Sequence, residues 1–476
     1  MNQTRLEFVF PNIHFDADWD VSNGRSLWTL FIANNIVESP LRIGAQSNYI
    51  PGIAESWVYS DDKKTLKLKI SSNYKFHDGT SITPIDVAES IKRLIVTQKA
   101  AHSDLFDSIC SDSTCEGVKA EDGQVTIRLN RPVNGLTYSL SSPEFGIIPP
   151  AYYKGQVVTH ERLKNLSGPY KVDSFTKERM DLSSFSGHPL LSPTSVQKVS
   201  IIEIKDFADS INYYNSHSNV VLVGSDYSSA AELDKLEGKK YVSAPALTEF
   251  IVSNIDSPKL NSVKKRKDIF SLLQNLKSKF SFNNNIADHA DQIFVTNSVA
   301  RVDREAVSKL YEVPKNSNKE QYTMLLFDWM KKSPLPYQLR DMLAKQNIDL
   351  NIKVVSIPEG LDLIGKKEYD FVYIYSGVSA LDPIAELVYL FKHPITQFNY
   401  KNQENAQLLE SAKVETNHQK YLETIKKIHF NLLADYRILP LLHTRMIYLA
   451  KGDYKMKELN HFDGGFNLWD WVQANQ

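Results

Sequence analysis

Between Leu335 and Tyr375 the sequence changes its period. Leu335, Leu339, Met342 and Leu343 fall on one face of a helix, after which Ile348 to Val355 and Tyr369-Asp-Phe-Val-Tyr-Ile-Tyr375 read as strands. A helix with a single apolar face, followed after short links by apolar strands, buries both kinds of surface when helices pack on a sheet, which is the α/β class. The start of the chain reads the same way. Leu6-Glu-Phe-Val-Phe10, ended by Pro11, has the pattern of a buried strand, and Ser26 to Val37 is apolar at helical spacing, with Ser22 and Asn23 as caps before it.

At 476 residues the chain exceeds what one core holds, since single cores stop growing at roughly 250 to 300 residues, so two or three domains are expected. No run approaches the ~18 to 20 consecutive apolar residues of a membrane helix. With 55 Lys and Arg against 56 Asp and Glu, the formal charge of −1 supplies no field for nucleic acid, and no nucleic-acid partner is expected. The basic run Lys264-Lys265-Arg266-Lys267 reads as a solvated helix start.

Further along, Trp57 to Ile70 turns at Asp61-Asp62 and has apolar residues two apart over Thr65 to Ile70, a hairpin with one wet face. Phe76-His-Asp-Gly-Thr80 is a turn in which His77 serves as a stabilising side chain. Thr83-Pro84-Ile-Asp86 caps a helix that runs to about Val96. Val125–Leu129, Val199–Ile204 and 219–224 read as strands.

The two cysteines, Cys110 and Cys115, close a short polar loop. They lack the redox CxxC spacing and a second pair for zinc, so a structural disulfide and an oxidising compartment are expected. The first residues show no charged and apolar leader. That leaves open a mature form with an added Met or a cytosolic chain. No P-loop, GxSxG, HExxH or GxGxxG is present, and no two histidines stand three or four apart. No catalytic residue, metal ligand or cofactor is assigned.

Pro51-Gly-Ile-Ala-Glu-Ser-Trp57, the hairpin after it, and Tyr74 to Arg93 together resemble the signature of the family 5 extracellular solute-binding proteins of ABC importers, which bind oligopeptides, dipeptides or nickel. Ser167-Gly-Pro-Tyr-Lys-Val172, Asn254 with Val263 to Arg266, Leu339 to Asp349 with Glu368 to Phe371, and Leu439-Pro-Leu-Leu442 with Gly464-Gly465 resemble later family segments in the same order.

The resemblance implies a two-lobed periplasmic-binding-protein-like α/β fold (type II, cluster C) with an extra domain inserted in the first lobe. Lobe I would comprise 1–40, 166–251 and 447–476, the added domain 41–165, and lobe II 252–446. It also implies a monomer outside the cytoplasm that takes a peptide or peptide-like solute to the permease subunits of an ABC transporter. Nickel chelates, sugars and the sensing half of a cytosolic regulator are alternatives on the same fold.

Peptide-binding relatives grip the peptide ammonium with an Asp in a loop that matches Gly377 to Pro383, where this chain has Ser379. A buried ammonium without an anion is costly. Asp328, in Phe327-Asp-Trp329, is the candidate replacement, while Asp382 is read as a turn cap or a second ligand group. Ser22, Asn23 and Ser26 are donors from the opposite lobe or ordinary helix caps. Trp329 and Tyr375 are a stacking wall or core, and Arg445 pairs with a solute carboxylate or a domain-interface acid.

Overall fold

Two strands much longer than the rest, Lys239–Ser253 and Ile438–Lys451, run antiparallel through the middle of the principal sheet and give the molecule its plan. The computed structural model describes residues 5–11, 27–44, 48–99, 102–153, 162–224, 227–296, 298–311, 319–377, 382–396, 402–457, 459 and 467–474. To one side of the long pair lie Phe371–Gly377, Glu320–Phe327 and Ile348–Val355. To the other lie Val220–Gly224, Leu6–Pro11, Lys198–Ile204, Arg179–Ser184 and Tyr170–Phe175, while the short strand Ala287–His289 pairs with Ile438–Lys451.

Each side contains a parallel triplet. Leu6–Pro11 lies between Lys198–Ile204 and Val220–Gly224 and is parallel to both. Glu320–Phe327 lies in the same way between Ile348–Val355 and Phe371–Gly377. Strands Val220–Gly224 and Phe371–Gly377 are apolar runs with little polar alternation, as parallel strands covered on both faces are, whereas the edge strand Ile348–Val355 alternates buried and exposed residues.

The long strand Lys239–Ser253 exchanges neighbours along its length. Residues 239–242 pair with 447–450, which border Val220–Gly224, whereas 247–253 also pair with 371–377 of the second triplet. The register slips on both sides of Pro245, which has no amide hydrogen to give the ladder. One face of the whole sheet is a single core holding Val9, Leu222, Leu326, Tyr373 and Leu442. The other face is split into one core with Phe8, Ile201 and Tyr448 and another with Phe250, Leu325 and Val372.

A separate four-stranded sheet, in the order Ala54–Tyr59, Thr65–Ile70, Gln124–Arg128 and Val118–Glu121, packs on helix Pro84–Thr97. Thr83 caps that helix reciprocally with Asp86, whose carboxylate accepts from the Thr83 amide at 2.8 Å. Cys110 and Cys115 are joined by a disulfide, and both are buried in this core. His77 does more than steady its own turn. Its Nε2 lies 2.9 Å from Gly168 O and its Nδ1 accepts from Leu166 N, which ties the turn to a segment about ninety residues away.

One expectation is corrected. The basic run opens helix Val263–Lys277, but Arg266 is only 4% exposed and donates to Leu260 O and Asp435. Positions 266, 269, 270 and 273 share one helix face, so Arg266 follows Ile269, Phe270 and Leu273 inward while Lys264 and Lys265 stay in water.

Candidate functional site

In both triplets the chain passes from the central strand to one neighbour and then to the other, so the strand order reverses beside the central strand. Crevices for ligands form at the carboxyl ends of parallel strands at such reversals. The loop after Leu6–Pro11 holds Ser22, Asn23 and Ser26, which lie outside the described residues, as does Ser379.

The carboxyl edges of the two triplets face each other. Asp206, just past strand Lys198–Ile204, lies 3.8 Å from Lys332 Nζ, and Ser228, just past Val220–Gly224, donates to Lys332 O at 3.1 Å. Lys332 itself follows the central strand Glu320–Phe327 of the other triplet. Nearby, the Asn283 amide donates to the Tyr227 hydroxyl at 3.0 Å.

On the second triplet, Asp328 and Trp329 stand directly beyond the central strand and both are exposed. The Trp329 ring rests on the buried ring of Phe327. Phe327 is in turn pressed by helix Ile357–Lys366, where a Cβ on Gly360 would lie 2.5 Å from the Phe327 ring, so only glycine permits this approach. One indole face is thereby supported from behind while the residue remains 38% exposed, and Ile357 is exposed at the same edge. Tyr375, on the neighbouring strand, is partly buried against the shared core rather than standing free. Next to it, Ser376 Oγ donates to Glu386 at 2.8 Å, a carboxylate that sequence reasoning passed over because helix Pro383–Lys392 reads locally as ordinary core helix.

Asp382 is the N-cap of helix Pro383–Lys392 and accepts from Ile384 N at 3.2 Å and, more weakly, from the Tyr49 hydroxyl at 3.4 Å. Burial pushes its carboxyl up to about 6, against the lowering effect of the amide donors. Arg445 lies opposite Pro245 on the long strand pair and forms an ion pair with Asp288 of strand Ala287–His289. The structure therefore sets Asp328 and Trp329 beyond the central strand with Tyr375 on the adjoining strand, and gives Asp382 a helix-capping position. It places Arg445 next to Thr444, which lies with Leu247 level with Gly377 at the end of the Tyr375 strand. Among the described residues no group of three or more His, Cys, Asp or Glu side chains is arranged to hold a metal ion.

A second boundary joins the four-stranded unit to helices on the far side of the principal sheet. Asn134 donates from its amide to Lys413 O at 2.8 Å, and from Nδ2 to Ala412 O at 2.7 Å and Glu415 O at 2.8 Å. Asp104 lies 3.1 Å from Lys413 Nζ and 3.3 Å from Lys392 Nζ. No local sequence signal marked these residues.

Residues 48–270 match the model of the bacterial extracellular solute-binding proteins, family 5 middle region. Over 144 residues the chain is 30% identical to a probable peptide ABC transporter periplasmic-binding protein, y4tO, of Sinorhizobium fredii, a match that spans 28% of this chain and 26% of the relative. The fold is shared with the ABC transporter substrate-binding protein CtaP of Listeria monocytogenes, at a TM-score of 0.81 and 17% identity over 100% of both chains. It is likewise shared with NikA of Brucella suis, solved with Fe(III)-EDTA, at a TM-score of 0.80 and 16% identity over 99% of this chain and 100% of NikA. The chain thus carries, over residues 48–270, a match to the middle region of the family 5 bacterial extracellular solute-binding proteins, and along its whole length it has the fold of the solved binding proteins.

Proposed function

We propose that the chain captures a peptide or peptide-like solute between two hinged lobes outside the cytoplasm and delivers it to the permease of an ABC importer, without catalysing a reaction on it. The observation that carries this reading is the meeting of the two carboxyl edges, where Asp206 and Ser228 on one triplet reach Lys332 on the other. A solute held there touches both lobes at once, so its own contacts favour the closed arrangement and loaded and empty protein differ in shape.

The corresponding division is 1–40, 166–251 and 447–476 for the first lobe, 41–165 for the added domain and 252–446 for the second lobe. The exchange of strand neighbours around Pro245 supports a hinge at 243–246, a few residues ahead of that boundary. The name of the Sinorhizobium relative supports the peptide class. Asp328 supplies the anion for a solute amine where Ser379 occupies the family's acidic position, and Trp329 supplies a stacking face.

A thermal-shift panel of di- to oligopeptides, sugars and nickel chelates tests the proposal. A solute at ~100 times its Kd adds about 2.7 kcal/mol, so peptides are expected to raise the Tm. A Tm unmoved by every peptide and raised by a chelate or sugar would replace the peptide class, and a Tm unmoved throughout would refute solute capture.

A further inference from the structure

The four-stranded unit is attached to the two sides of the molecule in different ways. Toward the first lobe the attachment is buried. Arg42 and Glu38 form a buried ion pair across the junction, and His77 bridges to Leu166 and Gly168. Toward the second lobe the described contacts include the hydrogen bonds of Asn134, the ion pairs of Asp104 and the Tyr49–Asp382 contact.

Asn134 makes an unusual set. Ala412, Lys413 and Glu415 stand at the carboxyl end of helix Gln403–Val414, whose last carbonyls have no partner within the helix. One side chain and its own amide, in the turn held by Gly135 at φ +88, satisfy three of these acceptors from another part of the fold. Beside it, Asp104 sits between the ammonium groups of Lys413 and Lys392. Polar contacts of this kind exchange readily for water, each contributing only about 0.5 to 1.5 kcal/mol net. Asn134 and Asp104 are themselves partly exposed, although Lys413 and Asp382 on the facing side are buried, and such partly wetted contacts suit a boundary that forms and breaks better than the buried Glu38–Arg42 pair does.

From this asymmetry we infer that Asn134 and Asp104 form a closure latch. The first lobe and the four-stranded unit move as one body, and the latch engages the end of helix Gln403–Val414 when the lobes close and releases it when they open. Both are positioning residues: they set the balance between open and closed protein without touching the solute. The inference rests on the proposed capture by closure.

Spin labels on cysteines introduced at Ile85 and Lys366, both exposed and on opposite sides of this boundary, report the distance directly, since the native cysteines are bonded to each other. Distances are recorded for the purified protein, for protein stripped by unfolding and refolding, and for stripped protein with a mixture of synthetic di- to pentapeptides. In Asn134→Ala and Asp104→Asn the ratio of short to long distances is expected to fall about tenfold, with the Tm of stripped protein unchanged. Distributions identical to the parent's overturn the latch. A lowered Tm without redistribution also overturns it, because the contact is then a static interface. A single unchanging distance in the parent protein under all three conditions overturns the capture reading and the latch together.

Discussion

The indole of Trp329 lies nearly parallel to the ring of Phe327, with centroids 4.6 Å apart and planes 17° apart, at the carboxyl end of the central strand of the second triplet. Phe327 belongs to the core while Trp329 is exposed, so a rigid support carries an exposed aromatic face. Trp329→Ala is expected to weaken solute binding by about 1 to 2 kcal/mol, more for peptides with aromatic side chains than for aliphatic ones. Gly360→Ala, which drives a methyl group toward the Phe327 ring, should reproduce part of this loss with Trp329 intact. Calorimetric titration of both variants with matched aromatic and aliphatic peptides checks the order, and equal losses for the two peptide classes would refute a stacking role.

Asp382 gives a pH dependence of definite sign. Its carboxyl is raised to about 6 in the folded protein from an ordinary value near 4, so between those values the folded state holds more protons than the unfolded one. Its contribution to stability therefore falls as pH rises from about 4 to 6 and stays low above, a loss of about 3 kcal/mol for two pKa units. Asp382→Asn keeps the helix cap, since Asn caps as well as Asp, and removes the buried charge. Urea midpoints for the two proteins are expected to agree near pH 4 and to favour the variant at pH 7.5. A variant no more stable at the higher pH would show that charge burial is not the cost assigned to this site.

What the sequence makes legible here is what depends on near neighbours. The alternation of Thr65 to Ile70, the Thr83–Asp86 cap and the helix–strand succession after Leu335 all lie within a few residues of the interactions that fix them. The order of the parallel triplets does not, because pairing of Leu6–Pro11 with Lys198–Ile204 joins segments almost two hundred residues apart. The same limit hides the boundary residues: Asn134 and Ala412 are 278 positions apart, and Tyr49 and Asp382 are 333 apart. Arg266 shows a different limit. Its charge argues for solvent, and only the turn of the helix that carries Ile269 and Phe270 into the core decides otherwise.

The Cys110–Cys115 bond closes a loop with a sequence separation of 5 within the core of the four-stranded unit. Loop closure this short removes about 2 kcal/mol of unfolded-chain entropy. Cys110→Ser with Cys115→Ser should lower the stability of that unit by at least this amount, since two hydroxyls also replace sulfur in apolar surroundings. Chemical denaturation with and without reductant measures it. The parent protein should lose stability on reduction and the double variant should not respond.

The ion pair between Glu38 and Arg42 has both partners withdrawn from water, with Arg42 Nε 2.5 Å from Oε1 and Nη2 2.7 Å from Oε2 of Glu38. Burial alone would raise the Glu38 carboxyl, but the Arg42 charge and the nearby His188, whose Nε2 is 3.3 Å from Oε2, hold it below its ordinary value. The Arg42 guanidinium also lies 4.5 Å from the centre of the Trp469 ring, which connects the start of the added unit to the carboxyl-terminal segment. Arg42→Met strands a charged carboxylate in the interior and should cost about 3 to 5 kcal/mol, the range for breaking one side of a buried pair. Glu38→Gln combined with Arg42→Met should recover part of that cost, because no uncompensated charge is left. The interaction energy from a double-mutant cycle, read by guanidinium unfolding, is therefore expected to be large. Additive losses would show that the pair acts through packing alone and would remove the argument that this junction holds the four-stranded unit fixed to the first lobe while the latch side opens.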